Sequence, residues 1–128
     1  MTTIPAERIL RPGYLILVDL DPVLGTEQRG RRPALIVSTL EMNTLTRRII
    51  ICPITRNLDP WPTKVLLPDG VGAAGAILVD HSRSIDRKAR TLRSLGAVPA
   101  PILQEVRSKL AALIGVRIGD AAETSARP

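Results

Sequence analysis

The densest chemistry in the chain lies in Gly25-Thr-Glu-Gln-Arg-Gly-Arg-Arg-Pro33, where Glu27, Gln28, Arg29, Arg31 and Arg32 share one short segment. Three guanidiniums beside a carboxylate and an amide suit contacts to phosphates and base edges, because a guanidinium grips phosphate oxygens in pairs while the others read donors and acceptors. A purely structural reading also fits: Arg32, directly before Pro33, is an extended residue covering the end of a buried strand. Thr55 is a second candidate. Its hydroxyl closes the aliphatic run Arg48–Ile54, where it is either a reactive donor on the same rim or an ordinary strand end.

Other patterns carry less. Gly70-Val-Gly-Ala-Ala-Gly75 matches the spacing of a dinucleotide-binding turn, but that turn needs a strand before it and a helix after it. Here Pro68-Asp69 precedes and the β-forming run Ala76–Asp80 follows, so a flexible hairpin connection is expected. His81 and Cys52 are the sole histidine and cysteine, and no carboxylates stand at metal-ligand spacing, so metal catalysis is not expected. Cys52 reads as a small core hydrophobe and His81 as a surface residue at a strand end. Trp61, between Pro60 and Pro62, either stacks on a base or packs beneath its loop.

These groups must be held by short elements. Gly13–Asp19, Ala34–Ser38, Arg48–Ile54, Lys64–Leu67, Ala76–Asp80 and Arg90–Val98 have strand length and composition. Ser38 followed by Glu41 has capping-box spacing, which predicts a short helix over Leu40–Leu45. Asn57–Pro62 is an exposed loop. Pro101 opens a helix to about Leu113, with Ile102, Val106, Leu110 and Leu113 on one face and Gly115 as its stop. The pattern predicts a mainly β fold with one or two helices, a small barrel with a C-terminal helix packed on it. Residues 1–118 form a single domain, and Gly119–Pro128 is a disordered tail.

The chain has 18 Lys+Arg against 12 Asp+Glu, a net charge of +6, and no Phe. That balance favours a polyanionic partner, because each neutralised phosphate releases counterions. The charge is uneven: Arg83, Arg87, Lys88, Arg90 and Arg93 crowd together with only Asp86 opposing. With Tyr14 and Trp61 as the only aromatic residues, a stacking platform for non-specific strand binding is not expected. No apolar run has membrane length, no signal segment opens the chain, and a lone cysteine suits a reducing compartment, so a cytoplasmic protein with no membrane partner is expected.

Taken together, the motifs resemble the MazF/PemK family of type II toxin–antitoxin endoribonucleases. The likeness runs through Pro12-Gly-Tyr-Leu-Ile-Leu-Val-Asp-Leu-Asp-Pro22, Gly25-Thr-Glu-Gln, Arg32-Pro33-Ala-Leu-Ile-Val-Ser38, Cys52-Pro-Ile-Thr55, Val79-Asp-His-Ser-Arg-Ser-Ile-Asp86 and the Pro101–Gly115 helix. It implies an SH3-like barrel, a homodimer and single-stranded RNA bound in grooves at the interface. It places the family's catalytic arginine on Arg32, its catalytic threonine on Thr55, the glutamate of its first loop on Glu27 and an aspartate of the PemK branch on Asp80. Two positions depart from the pattern. Leu78 stands where the PemK branch has an arginine, and His81 stands where glutamine is usual.

The resemblance implies cleavage without a cofactor, by attack of the RNA's own 2′-OH on the adjacent phosphate to give 2′,3′-cyclic phosphate and 5′-OH ends. Arg32 and Thr55 would stabilise the phosphorane oxygens, with Glu27, Asp80 and His81 as possible proton carriers or RNA contacts. Gln28, Arg29, Arg31, Arg56, Trp61, Arg83 and Arg87 are the expected RNA-binding residues. The partner implied is a cognate antitoxin with an acidic, flexible C-terminal segment. A gyrase-poisoning toxin of the same fold, or an inactive nucleic-acid-binding barrel, is the alternative.

Overall fold

The computed structural model describes residues 10–20 and 30–117. The expected loop residues Glu27, Gln28 and Arg29, and the tail from Gly119, lie outside the described residues. Among the described residues there are seven strands: β1 Tyr14–Asp19, β2 Arg31–Ile36, β3 Arg48–Thr55, β4 Lys64–Leu66, β5 Ala76–Leu78, β6 Arg83–Asp86 and β7 Thr91–Ala97. Three α-helices accompany them among the described residues: α1 Leu40–Leu45, the single turn α2 Arg87–Arg90, and α3 Ala100–Leu113.

The strands pair antiparallel in the order β4-β5-β3-β2-β1-β7, and β6 joins the first half of β3. The eight-residue β3 therefore serves three partners: β2 on one side, and β6 then β5 on the other. Alternation along β1, β2 and β3 feeds two cores. Leu15, Leu35, Cys52 and Ile54 join one, while Ile16, Val18, Ala34, Ile36, Ile49 and Ile51 join the other. Burial on both faces accounts for the nearly unbroken aliphatic runs of these strands.

The closed barrel expected from sequence is not what the pairing gives. Among the described residues β4 and β7 are both edges, and no pairing joins them. The ladder between β2 and β3 ends at Ala34–Pro53, where Pro53 has no N–H to continue it. The glycine-rich turn between β4 and β5 instead reaches across to β7. A Cβ built on Gly72 would fall onto the Leu95 carbonyl oxygen, so backbone lies on backbone and packing takes the place of a ladder.

Several boundaries moved. Strand β2 begins at Arg31, so Arg31 and Arg32 are strand residues and not loop residues. The run expected as a strand over Ala76–Asp80 turns into a 3-10 turn at Val79–His81. β6 and α2 were not anticipated, because Arg83–Arg90 offers only Ile85 as a buried apolar residue. α1 is capped by Thr39, whose hydroxyl accepts from the Met42 N–H at 3.2 Å. Ser38 has another task. Its hydroxyl donates to the buried Asn43 amide oxygen and accepts the Ile50 N–H at 2.9 Å.

The Asn43 amide nitrogen in turn donates to the carbonyls of Leu10 and Ser38. This satisfied network ties α1, β3 and the segment at Leu10 that leads into β1 together. α3 buries Val106 and partly buries Ile102, Leu103 and Leu110 against the first core. Leu113, expected on that face, stays 48% exposed. Arg107 anchors the helix: Nε and one terminal nitrogen both donate to the Val37 carbonyl, at 3.0 and 2.8 Å.

Candidate active site

The ladder between β2 and β3 stops at Ala34–Pro53, and two residues beyond it on the respective strands stand Arg32 and Thr55. Both share the side of the sheet set by Ala34 and Pro53, because side chains alternate with a period of two. Arg32 is held opposite Val18 of β1, and Thr55 opposite Ala76 of β5. The register thus brings to one rim two side chains that are 23 positions apart in sequence (32 to 55).

The Thr55 hydroxyl is 8% exposed by residue and has a defined polarity. Its oxygen accepts the Asn57 N–H at 3.1 Å, which leaves the O–H proton available to donate outward. Behind it, a Cβ built on Gly75 would strike the Thr55 carbonyl oxygen. Gly75 also has φ +133°, a backbone conformation side chains disfavour. The last glycine of the Gly70–Gly75 motif is therefore fixed by its fit against Thr55; the motif joins β4 to β5 as the hairpin connection expected, but is packed at Gly72 and Gly75 where flexibility was expected.

On the other face of the same strands opens a cavity of about 550 Å³, bordered by Arg32 but not by Thr55. Its floor is a row across the strands: Leu17 of β1 pairs with Pro33 of β2 and with Arg93 of β7, and Ile54 and Leu95 complete it. Gly72, Ala73 and Ala74 wall one side, and Arg31, Arg32, Arg56 and Arg93 ring the mouth. No carboxylate lines it among the described residues. The cavity is apolar below and cationic above, a form that takes a flat or aliphatic group carrying negative charge.

The loop after Thr55 is tied down. Asp59 N–H donates to the Asn57 side-chain oxygen at 2.9 Å. The Lys64 ammonium donates to the carbonyls of Asn57 and Asp59, both at 2.9 Å, and Lys109 donates to that of Pro62 at 3.0 Å. Trp61 does not pack beneath this loop. It is 62% exposed, so its ring is presented to solvent on a braced segment.

The remaining expected residues lie elsewhere. Asp80 and His81 are in the turn after β5, four and five residues beyond Ala76, the partner of Thr55. They follow the last residue of β5, Leu78, so the chain has run away from the Thr55 pairing before it reaches them. Asp80 acts on Cys52 instead. Burial pushes the Cys52 thiol up to about 12, and the nearby Asp80 charge adds to the shift, so the thiol is inert at neutral pH. Arg83 pairs through its backbone with Ile51. The Arg87 Nε donates to the Thr46 carbonyl at 2.8 Å, which spends that group on joining α2 to the end of α1.

Sequence reasoning singled out Arg31, Arg32, Arg56 and Thr55; Arg31, Arg32 and Arg56 line one cavity, while Thr55 faces the other side of β3 from Ile54 in that cavity's floor. That reasoning missed Arg93, which looked like one more member of a basic run, and Asn57, whose N–H orients the Thr55 hydroxyl. The signal for Arg93 was present in its alternation with Leu95, but that reading requires the pairing with Leu17. No three or more His, Cys, Asp or Glu side chains are grouped to hold a metal among the described residues. Nor is any helix there long and apolar enough to cross a membrane.

An antiparallel sheet with a C-terminal helix and an arginine–threonine rim defines the class of protein, and comparison with known proteins gives the family. Residues 11–114 match the family model described as PemK-like, MazF-like toxin of type II toxin-antitoxin system, and the chain belongs to that family. It is 38% identical over 106 residues to Escherichia coli endoribonuclease PemK, covering 80% of each chain. The fold is similar to that of MazF from Deinococcus radiodurans, with TM-score 0.80, 39% identity, and coverage of 84% of this chain and 98% of that one. It is also similar to a chain of the MazE-MazF complex from the same organism, with TM-score 0.73, 34% identity, and coverage of 85% and 98%.

Proposed function

We propose that this protein is the toxin of a type II toxin–antitoxin system, an endoribonuclease that cuts single-stranded RNA at preferred sequences without a metal ion. The observation that carries the mechanism is the placement of Arg32 and Thr55 two residues past the end of the β2–β3 ladder, on one side of the sheet. A phosphate seated there meets a guanidinium from one strand and a hydroxyl from the other. The RNA supplies its 2′-OH as nucleophile. The P–O bond to the 5′ oxygen breaks as the 2′ oxygen attacks, leaving a 2′,3′-cyclic phosphate and a 5′-OH end. Arg32 balances the charge that grows on the non-bridging oxygens, and the Thr55 hydroxyl donates a hydrogen bond to the same oxygens. Glu27 is the proposed base that takes the 2′ proton, and solvent water supplies the proton to the departing 5′ oxygen.

The residues around the pair have supporting roles in this reading. Gln28, Arg29, Arg31, Arg56 and Trp61 contact the RNA on either side of the scissile phosphate. Asp80, His81, Arg83 and Arg87 are too far along the sheet to join the same phosphate within one chain. They belong with a more distant part of the RNA, or with the site of a second protomer in a homodimer. The relatives seen with MazE support a cognate antitoxin as partner, and the net charge of +6 suits an acidic, flexible C-terminal segment on it. A cytoplasmic setting follows from an RNA substrate.

Purified protein incubated with a mixed-sequence RNA in EDTA tests the reading. Cleavage to fragments whose 5′ ends accept phosphate from polynucleotide kinase without prior phosphatase treatment is the expected result. An intact RNA, or cleavage only after magnesium is restored, overturns it. Inhibition of gyrase supercoiling by a protein that leaves RNA whole would point to the gyrase-binding alternative.

A further inference from the structure

The Thr55 hydroxyl takes its orientation from Asn57, whose N–H it accepts at 3.1 Å. A hydroxyl turns about its Cβ–Oγ bond, so an accepted N–H decides which way its own proton points. Asn57 stands on the exposed loop that leaves β3, where backbone is ordinarily mobile. Whatever fixes Asn57 therefore fixes the donor.

Two hydrogen bonds hold Asn57 in place. Its side-chain oxygen accepts the Asp59 N–H at 2.9 Å, a local turn of the kind asparagine forms by itself. Its carbonyl accepts from the Lys64 ammonium at 2.9 Å, and Lys64 is the first residue of β4. The same ammonium holds the Asp59 carbonyl at 2.9 Å, and the Lys64 N–H donates to the Trp61 carbonyl at 3.0 Å. One lysine thus gathers the carbonyls of Asn57, Asp59 and Trp61, and a flexible four-carbon stem loses its rotamer freedom in doing so.

The anchor for this clip is the sheet. Lys64 pairs with Leu78 and Leu66 with Ala76, and Ala76 is the β5 partner of Thr55. The contacts close a ring: Thr55 is bound to β5, β5 to β4, and Lys64 of β4 returns through Asn57 to the Thr55 hydroxyl. Lys109 also braces the loop, but at the Pro62 carbonyl, away from Asn57.

We propose that Lys64 is a positioning residue for cleavage, holding Asn57 so that its N–H aims the Thr55 hydroxyl at the phosphate. The inference rests on the RNA-cleaving reading and adds to it a residue that acts through Thr55 without touching RNA.

The test uses full-length protein and an RNA oligonucleotide that wild type cuts. Lys64→Met removes the ammonium and keeps the apolar stem. It is expected to lower kcat about tenfold with KM within about twofold of wild type, as for a misaimed donor. Lys64→Arg, which keeps donors at the end of a long stem, should recover to within about threefold of wild type. In a Thr55→Ala background, Lys64→Met should cost less than about twofold more, because the hydroxyl it serves is gone. The Asn57 amide should exchange with solvent about tenfold faster in Lys64→Met. Lys109→Met, the control for a loosened loop, should leave kcat within about twofold. Should Lys64→Met unfold, Lys64→Gln makes the same comparison with a polar stem.

A loss that recurs in full in the Thr55→Ala background overturns the proposal, since Lys64 then acts independently of the hydroxyl. A raised KM at constant kcat also overturns it, in favour of a direct RNA contact. An Asn57 amide whose exchange is the same in Lys64→Met and wild type removes the clip itself, whatever happens to RNA. Wild-type protein that leaves RNA whole while Lys64→Met still speeds that exchange brings down the RNA-cleaving reading, and the role in cleavage with it, but not the clip.

Discussion

Two arginine-rich regions of this molecule look alike in the sequence and differ in the fold. At the strand-end cavity floored by Leu17, Pro33 and Ile54, the guanidiniums of Arg31, Arg56 and Arg93 have no internal partners among the described residues. At the far corner the positive charge is spent internally. Arg48 donates to the hydroxyl and carbonyl of Ser84 at 2.9 and 2.8 Å, and Arg87 donates to the Thr46 carbonyl. Arg47 pairs with Asp86 at 3.2 Å. The comparison teaches that net charge alone does not locate a binding surface. What distinguishes the two regions is whether the fold supplies acceptors.

Breaking the rim should abolish chemistry and spare the fold. Thr55→Ala is expected to lower the single-turnover cleavage rate by up to about a hundredfold, the scale for losing one preorganised donor. Thr55→Ser should retain most of the activity because it keeps the hydroxyl that Asn57 orients. Equal losses in both variants, in folded protein, would show that the methyl group and not the donor matters.

Breaking the internal polar network should do the reverse. Asn43→Ala strands Ser38 and the Leu10 carbonyl in the interior and is expected to cost about 2–3 kcal/mol in a denaturant titration. Cleavage per folded molecule should be unchanged. A loss below about 0.5 kcal/mol would mean that water replaces the amide without cost.

Cys52 sharpens the same contrast from the core. Its thiol is raised to about 12 by burial and by Asp80, so the folded state keeps a proton that the unfolded chain releases near the ordinary thiol value. The associated stability is complete below that value and is lost as pH rises toward 12. Alkaline unfolding should therefore begin earlier for wild type than for Cys52→Val. Native protein at pH 8 should resist thiol reagents until denatured, and rapid modification of folded protein would contradict the burial.

The smallest effect belongs to the corner. The Asp86 carboxylate caps α2, accepting from Lys88 N–H at 2.9 Å and Ala89 N–H at 3.1 Å. The Ala89 hydrogen bond is the largest cause of its lowered pKa, with Lys88 and the Arg47 charge adding to it against a desolvation that raises it. Its contribution is present above the ordinary carboxylate value and fades as pH falls through the lowered one. Asp86→Ala should lower stability slightly at neutral pH by removing the cap and should remove that part of the acid dependence. Identical acid transitions in the two proteins would count against the cap.

The strands that carry the pair were legible because β1 and β3 are aliphatic and β-branched, and α3 because its apolar residues recur at helical spacing. Arg31-Arg32-Pro33 hid its strand, since two charges and a proline give no alternation to read. β6 and α2 were hidden for a related reason: Ile85 alone is buried in Arg83–Arg90, and pairing with β3 decides their form. Barrel closure was misread because Gly72 closes the gap through packing and leaves no strand signal. The Arg32/Thr55 pair came from motif likeness, while its geometry depended on a register that no local pattern encodes.

The central claim is that Arg32 provides charge to a reacting phosphate and does little for the fold. Single-turnover cleavage by Arg32→Ala, measured beside its thermal melt, tests it most directly. A rate lower by a hundredfold or more, with a melting temperature within about 3 °C of wild type, is the expected result. A folded Arg32→Ala protein that cuts within a few-fold of wild type would contradict the account.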